Sequence, residues 1–337
     1  IKVNNSIVID SHQTLLMNEE TTIFTSNGML GKTVITNKNR GDTDITIIGG
    51  TIDGTDADAV AYDGILFNGV KNSSIIGVSC INVHITASKD TGNIRLNNCN
   101  YVLIKDCNSV ETWKMGIFIL KGSCNMVLGG RFYGTHDSAI GVVMSPGTII
   151  DGLYVDNCGT SDGSNMSLNS ENLLVINNIS INARGIKNGN GITLGHNGSP
   201  ASYSVFMDNI VEKNSAKGIF IQGEKTKNVL IINNIIKENG VKSVGTNSGG
   251  IAVYSYSNNH LIEGNIIIGN RIGVSLHKFS RAVMIENNHI VSSTLYGIRN
   301  DGENHKITGN YFSNILNLKN GINAKQLVFE NNTLHRP

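Results

Sequence analysis

The sequence predicts an all-β chain folded as one parallel solenoid of about twelve coils. Three observations predict it. A polar–apolar phrase recurs along the 337 residues. A second phrase, Gly-Ile-x-apolar, follows most copies of the first. No amphipathic window of helical period separates them.

The first phrase reads "VLIINNII" at 229–236. Its equivalents include "ITIIGGTI", "SIIGVSCI", "LLVINNIS", "LIEGNIII" and "LVFENNTL". Aligned on Asn234, they mark Gly50, Val78, Cys107, Gly130, Gly152, Asn178, Asn209, Asn265, Asn288, Asn310 and Asn332, at intervals of 22 to 31 residues. The second phrase reads "GILFN", "GIFIL", "GITLG", "GIFIQ", "GIAVY", "GVSLH" and "GIRND". Its apolar residues alternate, so Ile251 and Val253 point one way and Ala252 and Tyr254 the other. Each coil therefore holds at least two short strands joined by Gly/Asn/Ser turns. A single coil leaves its strand edges unpaired, so neighbouring coils must stack, and equivalent residues line up roughly 4.8 Å apart. The 47 asparagines fit this plan. Asparagine adopts left-handed turns and bridges its amide to backbone or to the next coil.

Residues 1–337 read as one domain, with opening or capping coils over 1–42 and regular coils over 43–337. The formal net charge of +1 argues against nucleic acid as a partner, which needs a basic face. No apolar run approaches the length of a membrane span. The five cysteines, Cys80, Cys99, Cys107, Cys124 and Cys158, show neither a disulfide framework nor zinc spacing and read as small buried hydrophobes. The run "DGTDAD" places Asp53, Asp56 and Asp58 together, and Ca2+ is the one candidate metal there, against the plainer reading of a solvated turn. The chain starts at Ile1 and shows no signal peptide, which fits a processed protein or a fragment.

On these phrases the chain resembles the right-handed parallel β-helix superfamily, which includes pectate lyases, polygalacturonases, alginate epimerases and phage tailspikes. The resemblance covers nearly the whole chain and implies the fold; a fold does not fix the chemistry. "ITIIGGTIDG" at 45–54 looks like a phrase of polygalacturonase-like and phage β-helices. The catalytic motifs of polygalacturonases do not carry over intact. Their Asn-Thr-Asp motif falls on "ETWKMGIFI", with Lys114 and Met115 in place of acid. Their paired aspartates fall on "HDSAIGVV", which keeps Asp137 and has Ser138 for the other. Their Gly-His-Gly and Arg-Ile-Lys motifs fall on Asn190 and on Phe220 and Gln222. Asp137 alone survives, as the nucleus of a hydrolase reading in which Asp162 would be its partner.

Aligning the second strands on Gly191, Gly218, Gly250, Gly273, Gly297 and Gly321 predicts outward columns. Four residues on stand Gly195, Gln222, Tyr254, His277, Asp301 and Lys325. Two residues on stand Thr193, Phe220, Ala252, Ser275, Arg299 and Asn323. Past the strand come His196, Glu224, Tyr256, Lys278 and Glu303. Tyr254, His277 and Asp301 thus fall on successive rungs with Arg299 and Lys278 beside them. A histidine has its charge set by such neighbours. Tyrosine exchanges protons, and Arg and Lys neutralise an acidic sugar. This is the inventory for abstracting a proton alpha to a uronate carboxyl. In that assignment His277 or Tyr254 is the base, Asp301 orients His277, and Arg299 and Lys278 neutralise charge. Gln222, Glu224, Tyr256 and His196 flank the site as substrate-binding residues. Glu224 and Asp301 lie about 14 Å apart along the axis, too far for paired-carboxylate hydrolysis.

The function expected is a carbohydrate-active protein, extracellular, at the cell surface or on a virion, with a lyase-like or depolymerase action on a long, acidic polysaccharide. The alternative is a non-catalytic glycan-binding tail fibre, adhesin or surface-layer module, in which Phe220, Tyr254, Tyr256 and Phe279 stack on sugar rings. The last coil, "LVFENNTLHRP", ends without a capping helix, and a homotrimer would cover such an open end.

Overall fold

The structure is a computed structural model and describes residues 1–29, 31–55, 62–83, 91–160, 163–185, 189–195, 200–241, 248–315, 319–320 and 327–335. Among the described residues it is all-β apart from one short 3-10 turn at Asn27–Met29. Apart from those of the first and last coils, the described strands each pair in parallel with their equivalents in the coils before and after. About twelve full turns stack in this way.

Each coil carries three short strands, within the expectation of at least two. Three ladders therefore run the length of the molecule. Ladder one holds the Gly-Ile strands, such as Lys217–Ile221, Gly249–Val253, Ile272–Leu276 and Tyr296–Asn300. Ladder two holds Leu230–Ile232, Leu261–Glu263 and Met284–Glu286. Ladder three holds Ile235–Lys237, Ile266–Ile268 and His289–Val291. The phrase "VLIINNII" is thus two strands with a corner at Asn233–Asn234. Strands before residue 42 join the same ladders: Ile7–Ile9 pairs with Ile35–Asn37, and Thr14–Leu16 with Thr46–Ile48.

The core is built from inward residues of all three ladders, two from most ladder-one strands, such as Ile251 and Val253, and one from each strand of ladders two and three. Ile251 and Val274 on ladder one, Ile262 and Ile285 on ladder two, and Ile267 and Ile290 on ladder three are all essentially inaccessible. Burying each such side chain contributes about 1.5–3 kcal/mol, which offsets the chain entropy of so many turns.

The corner between ladders two and three divides its work between two residues. The first takes a left-handed conformation, as at Asn177, Asn233 and Asn287 (φ 55–56°), and glycine supplies it at Gly264. The second buries its amide. Asn178, Asn209, Asn234, Asn265, Asn288, Asn310 and Asn332 form one stack, each Nδ2 donating to the next Oδ1 at 2.9–3.0 Å. Each Oδ1 also accepts the backbone N–H of the preceding asparagine, as Asn265 does from Asn234 at 2.9 Å. Pairing of Asp151 with Ile176 makes Leu153, not Gly152, the equivalent of Asn178. A second stack, Asn214, Asn239 and Asn270, closes the corner after ladder three.

The corner before ladder two uses whatever acceptor fits. Ser204 Oγ, His260 Nδ1 and His305 Nδ1 accept the N–H of Leu173, Val229 and Val283 respectively. Both imidazoles are buried, which pushes His260 down to about 3 and His305 to about 4. Four cysteines are free and buried, as expected; Cys124 departs from that expectation and is exposed at a turn.

Candidate functional site on ladder one

Register on ladder one follows the glycines. Ile192, Ile219, Ile251, Val274 and Ile298 are successive partners, so Gly191, Gly218, Gly250, Gly273 and Gly297 stack. The last rung departs. Arg299 pairs with Lys319, so Lys319 takes the place expected for Asn323. Gly321, Asn323 and Lys325 lie outside the described residues, as do His196, Asp56, Asp58 and Asp162.

Tyr254, His277 and Asp301 do occupy successive rungs. The His277 N–H donates to Val253 O at 2.9 Å, and the Asp301 N–H to Leu276 O at 2.8 Å. Gln222 lies one rung before Tyr254, where its N–H donates to Leu194 O at 3.0 Å. The Tyr254 ring stacks on the His277 imidazole with centroids 4.8 Å apart. Phe220 meets Tyr254 edge-on at 5.2 Å. Phe279 sits 5.6 Å from His277 and stacks face to face on Tyr256 at 4.4 Å. Five rings from three consecutive coils thus form one shelf. Tyr256 is its exposed rim, 51% accessible, and Phe220 its buried floor, 7% accessible.

The charges around the shelf differ from the expected arrangement. Arg299 Nε and Asp301 Oδ2 are 2.7 Å apart, so Asp301 is held by Arg299 and not by His277. Among the described residues no group hydrogen-bonds the buried Nδ1 of His277. Burial, then Lys278, pushes the His277 pKa down; Asp301 raises it and Arg299 lowers it again. The imidazole is therefore neutral near pH 7, the form a proton acceptor needs. The orienting role expected of Asp301 is corrected to a through-space charge. Lys278 Nζ lies over Phe279, 4.6 Å from the ring centre. Glu303 is not stacked with Tyr256; it pairs with Arg281 at 3.5 Å, because Arg281 and Glu303 form a bridge one turn further round. Glu224 is an exposed turn residue.

Sequence reasoning missed Lys217. It precedes the aligned glycine, outside both columns considered. Its Nζ lies 4.2 Å from the Phe220 ring centre and 5.7 Å from that of Tyr254. Burial lowers its pKa to about 8, with no charged group contributing. A second missed pair lies on the same ladder. Asp63 is 1% accessible; Gly92 N–H donates to its Oδ1 at 3.1 Å, and Arg95 Nη1 approaches its Oδ2 at 4.0 Å. Burial pushes Asp63 up to about 6. Its signal was a lone aspartate before "GILFN".

Asp137 is not brought to the shelf. It precedes Ile140–Val143, four coils before Gly249–Val253, about 19 Å away along the axis. Its Oδ1 accepts the Ser138 N–H at 2.8 Å. Asp53, the described part of the acidic run, accepts hydrogen bonds from the N–H and hydroxyl of Thr55. Among the described residues no three acidic, His or Cys groups converge as metal ligands. A cleft of about 530 Å³ lies elsewhere, past ladder three, between Arg184, Lys213, Glu238 and Val241.

Comparison with known proteins agrees with this architecture. Residues 187–334 match the family model described as a right handed beta helix region. No curated protein sequence matches the chain. Among solved structures, the periplasmic alginate epimerase AlgG is similar at TM-score 0.62 and 13% identity, over 99% of this chain and 78% of that one. The tailspike of E. coli bacteriophage HK620, solved as a mutant with a pentasaccharide, is similar at TM-score 0.64 and 13% identity, over 94% and 69%. The Dettilon tailspike is similar at TM-score 0.59 and 15% identity, over 97% and 60%. Among the described residues no helix is long and apolar enough to cross a membrane. Three parallel ladders, an asparagine corner and these matches give the chain the fold of a right-handed parallel β-helix.

Proposed function

We propose that the chain is a carbohydrate-active β-helix that takes a long acidic polysaccharide along the ladder-one face, with the shelf of Tyr254, Tyr256, His277 and Phe279 as its seat. One observation carries the reading: a neutral imidazole, stacked on a tyrosine, stands among the cations Lys217, Lys278 and Arg299. Aromatic faces bind sugar rings, and the cations suit a uronate carboxyl. With a uronate seated there, His277 accepts the proton alpha to the carboxyl and Tyr254 donates to the leaving oxygen. That is eliminative cleavage of the glycosidic bond. The alginate epimerase and the tailspike bound to a pentasaccharide, similar in fold, support a glycan as partner. The setting that follows is extracellular, periplasmic or on a virion. Incubation with a panel of uronate polysaccharides tests it. New ultraviolet absorbance from unsaturated products is expected; reducing ends without it would mean hydrolysis and turn attention to Asp137.

A second reading, a glycan-binding module without catalysis, is favoured by the Arg299–Asp301 pair, which already spends one expected neutraliser. It predicts retained binding with no product. Either reading is compatible with a homotrimer, whose contacts would fall on the outward aliphatic column containing Ile235 and Ile266. Sedimentation at single-chain mass would contradict that assembly.

A further inference from the structure

We propose that Lys217 is the anchor for the substrate's carboxylate, and so the residue that makes the shelf select acidic over neutral sugars. The inference rests on the glycan reading above. Lys217 is half-buried at the start of Lys217–Ile221, and its ammonium lies against the faces of Phe220 and Tyr254. Among the described residues it forms no ion pair, and burial alone acts on its charge. Two aromatic faces return less to a desolvated cation than a carboxylate would supply. Both other cations are differently placed: Arg299 is engaged by Asp301, and Lys278 is exposed over Phe279. Lys217 is therefore the cation whose charge the shelf leaves uncompensated. It touches the same tyrosine that stacks on His277, so a carboxylate on Lys217 would hold its sugar ring against the Tyr254–His277 pair.

Titration calorimetry with an oligouronide and its carboxyl-reduced, uncharged counterpart tests this. The native protein is expected to prefer the oligouronide by about tenfold or more, as one charge-assisted contact supplies. Lys217→Met should abolish that preference while sparing affinity for the neutral sugar. Lys217→Arg should keep the preference. The preference should also fade as pH rises through about 8, where Lys217 loses its proton. A preference unchanged in Lys217→Met, or flat from pH 7 to 9 as an arginine anchor would give, overturns the proposal and leaves the glycan reading standing. Absence of binding to both sugars by the native protein overturns both.

Discussion

The Tyr254 ring stacks on the His277 imidazole across two coils, with 4.8 Å between centroids and 25° between planes. The β-helix creates this contact by register alone: Val253 pairs with Leu276, so the residues after them must stack. Tyr254→Ala should lower glycan affinity about tenfold, and Tyr254→Phe should keep it within about threefold, since the ring and not the hydroxyl makes the stack. In the eliminative reading Tyr254→Phe nevertheless loses turnover. Calorimetry and product absorbance on the same samples separate the two effects.

Asp301 acts on His277 through charge, with its carboxylate held by Arg299. Its field raises the imidazole pKa, so Asp301→Asn should lower that pKa further. NMR titration of the imidazole protons measures the shift. A rise would mean that Asp301 does not favour the charged imidazole as described.

The asparagine stack is the strongest claim about stability. Asn265 Nδ2 donates to Ile231 O, Glu263 O and Asn288 Oδ1, and its Oδ1 accepts from the Asn234 N–H and Nδ2. Asn265→Ala strips partners from several buried groups at once. At about 1–3 kcal/mol for each unsatisfied group, the loss should exceed about 3 kcal/mol. Denaturant unfolding measures it, and a loss below about 1 kcal/mol would contradict the stack's role.

Buried histidines set the acid limit. The folded pKa values of His260 and His305 are depressed to about 3 and about 4, below the unfolded value of 6.5. The unfolded chain therefore takes up protons first as pH falls. The contribution of these residues is present above pH 6.5 and fades as pH drops towards 4, each on the order of 3 kcal/mol or more. Asp63 opposes this: its folded pKa is raised to about 6, so acidification between about 6 and 4 relieves a buried charge. Two histidines outweigh one aspartate, and stability should fall across that window. Asn125 accepts the Val102 N–H at 3.0 Å from the same kind of corner, so His260→Asn should fold and flatten the pH slope. An unchanged slope would mean that His260 is not the titrating group.

Much of this was legible in the sequence because a solenoid turns sequence period into spatial adjacency. The Gly-Ile alignment alone placed Tyr254 beside His277. It failed where side chains choose among neighbours. Spacing gave no sign that Arg299, two residues away on the same strand, would take Asp301 from His277. Lys217 escaped because it stands before Gly218, outside the alternating positions, and reaches back over Phe220. The third ladder was hidden because its strand follows ladder two after only a two-residue corner, so both read as one phrase. The final rung slipped because Lys319, not Asn323, follows Arg299.

The most direct test of the central claim is a product assay on uronate polysaccharides with native protein and His277→Ala in parallel. Unsaturated, ultraviolet-absorbing ends are expected from the native protein, and none above background from His277→Ala with binding retained. Full activity in His277→Ala would contradict it and remove the Tyr254–His277 shelf from the chemistry.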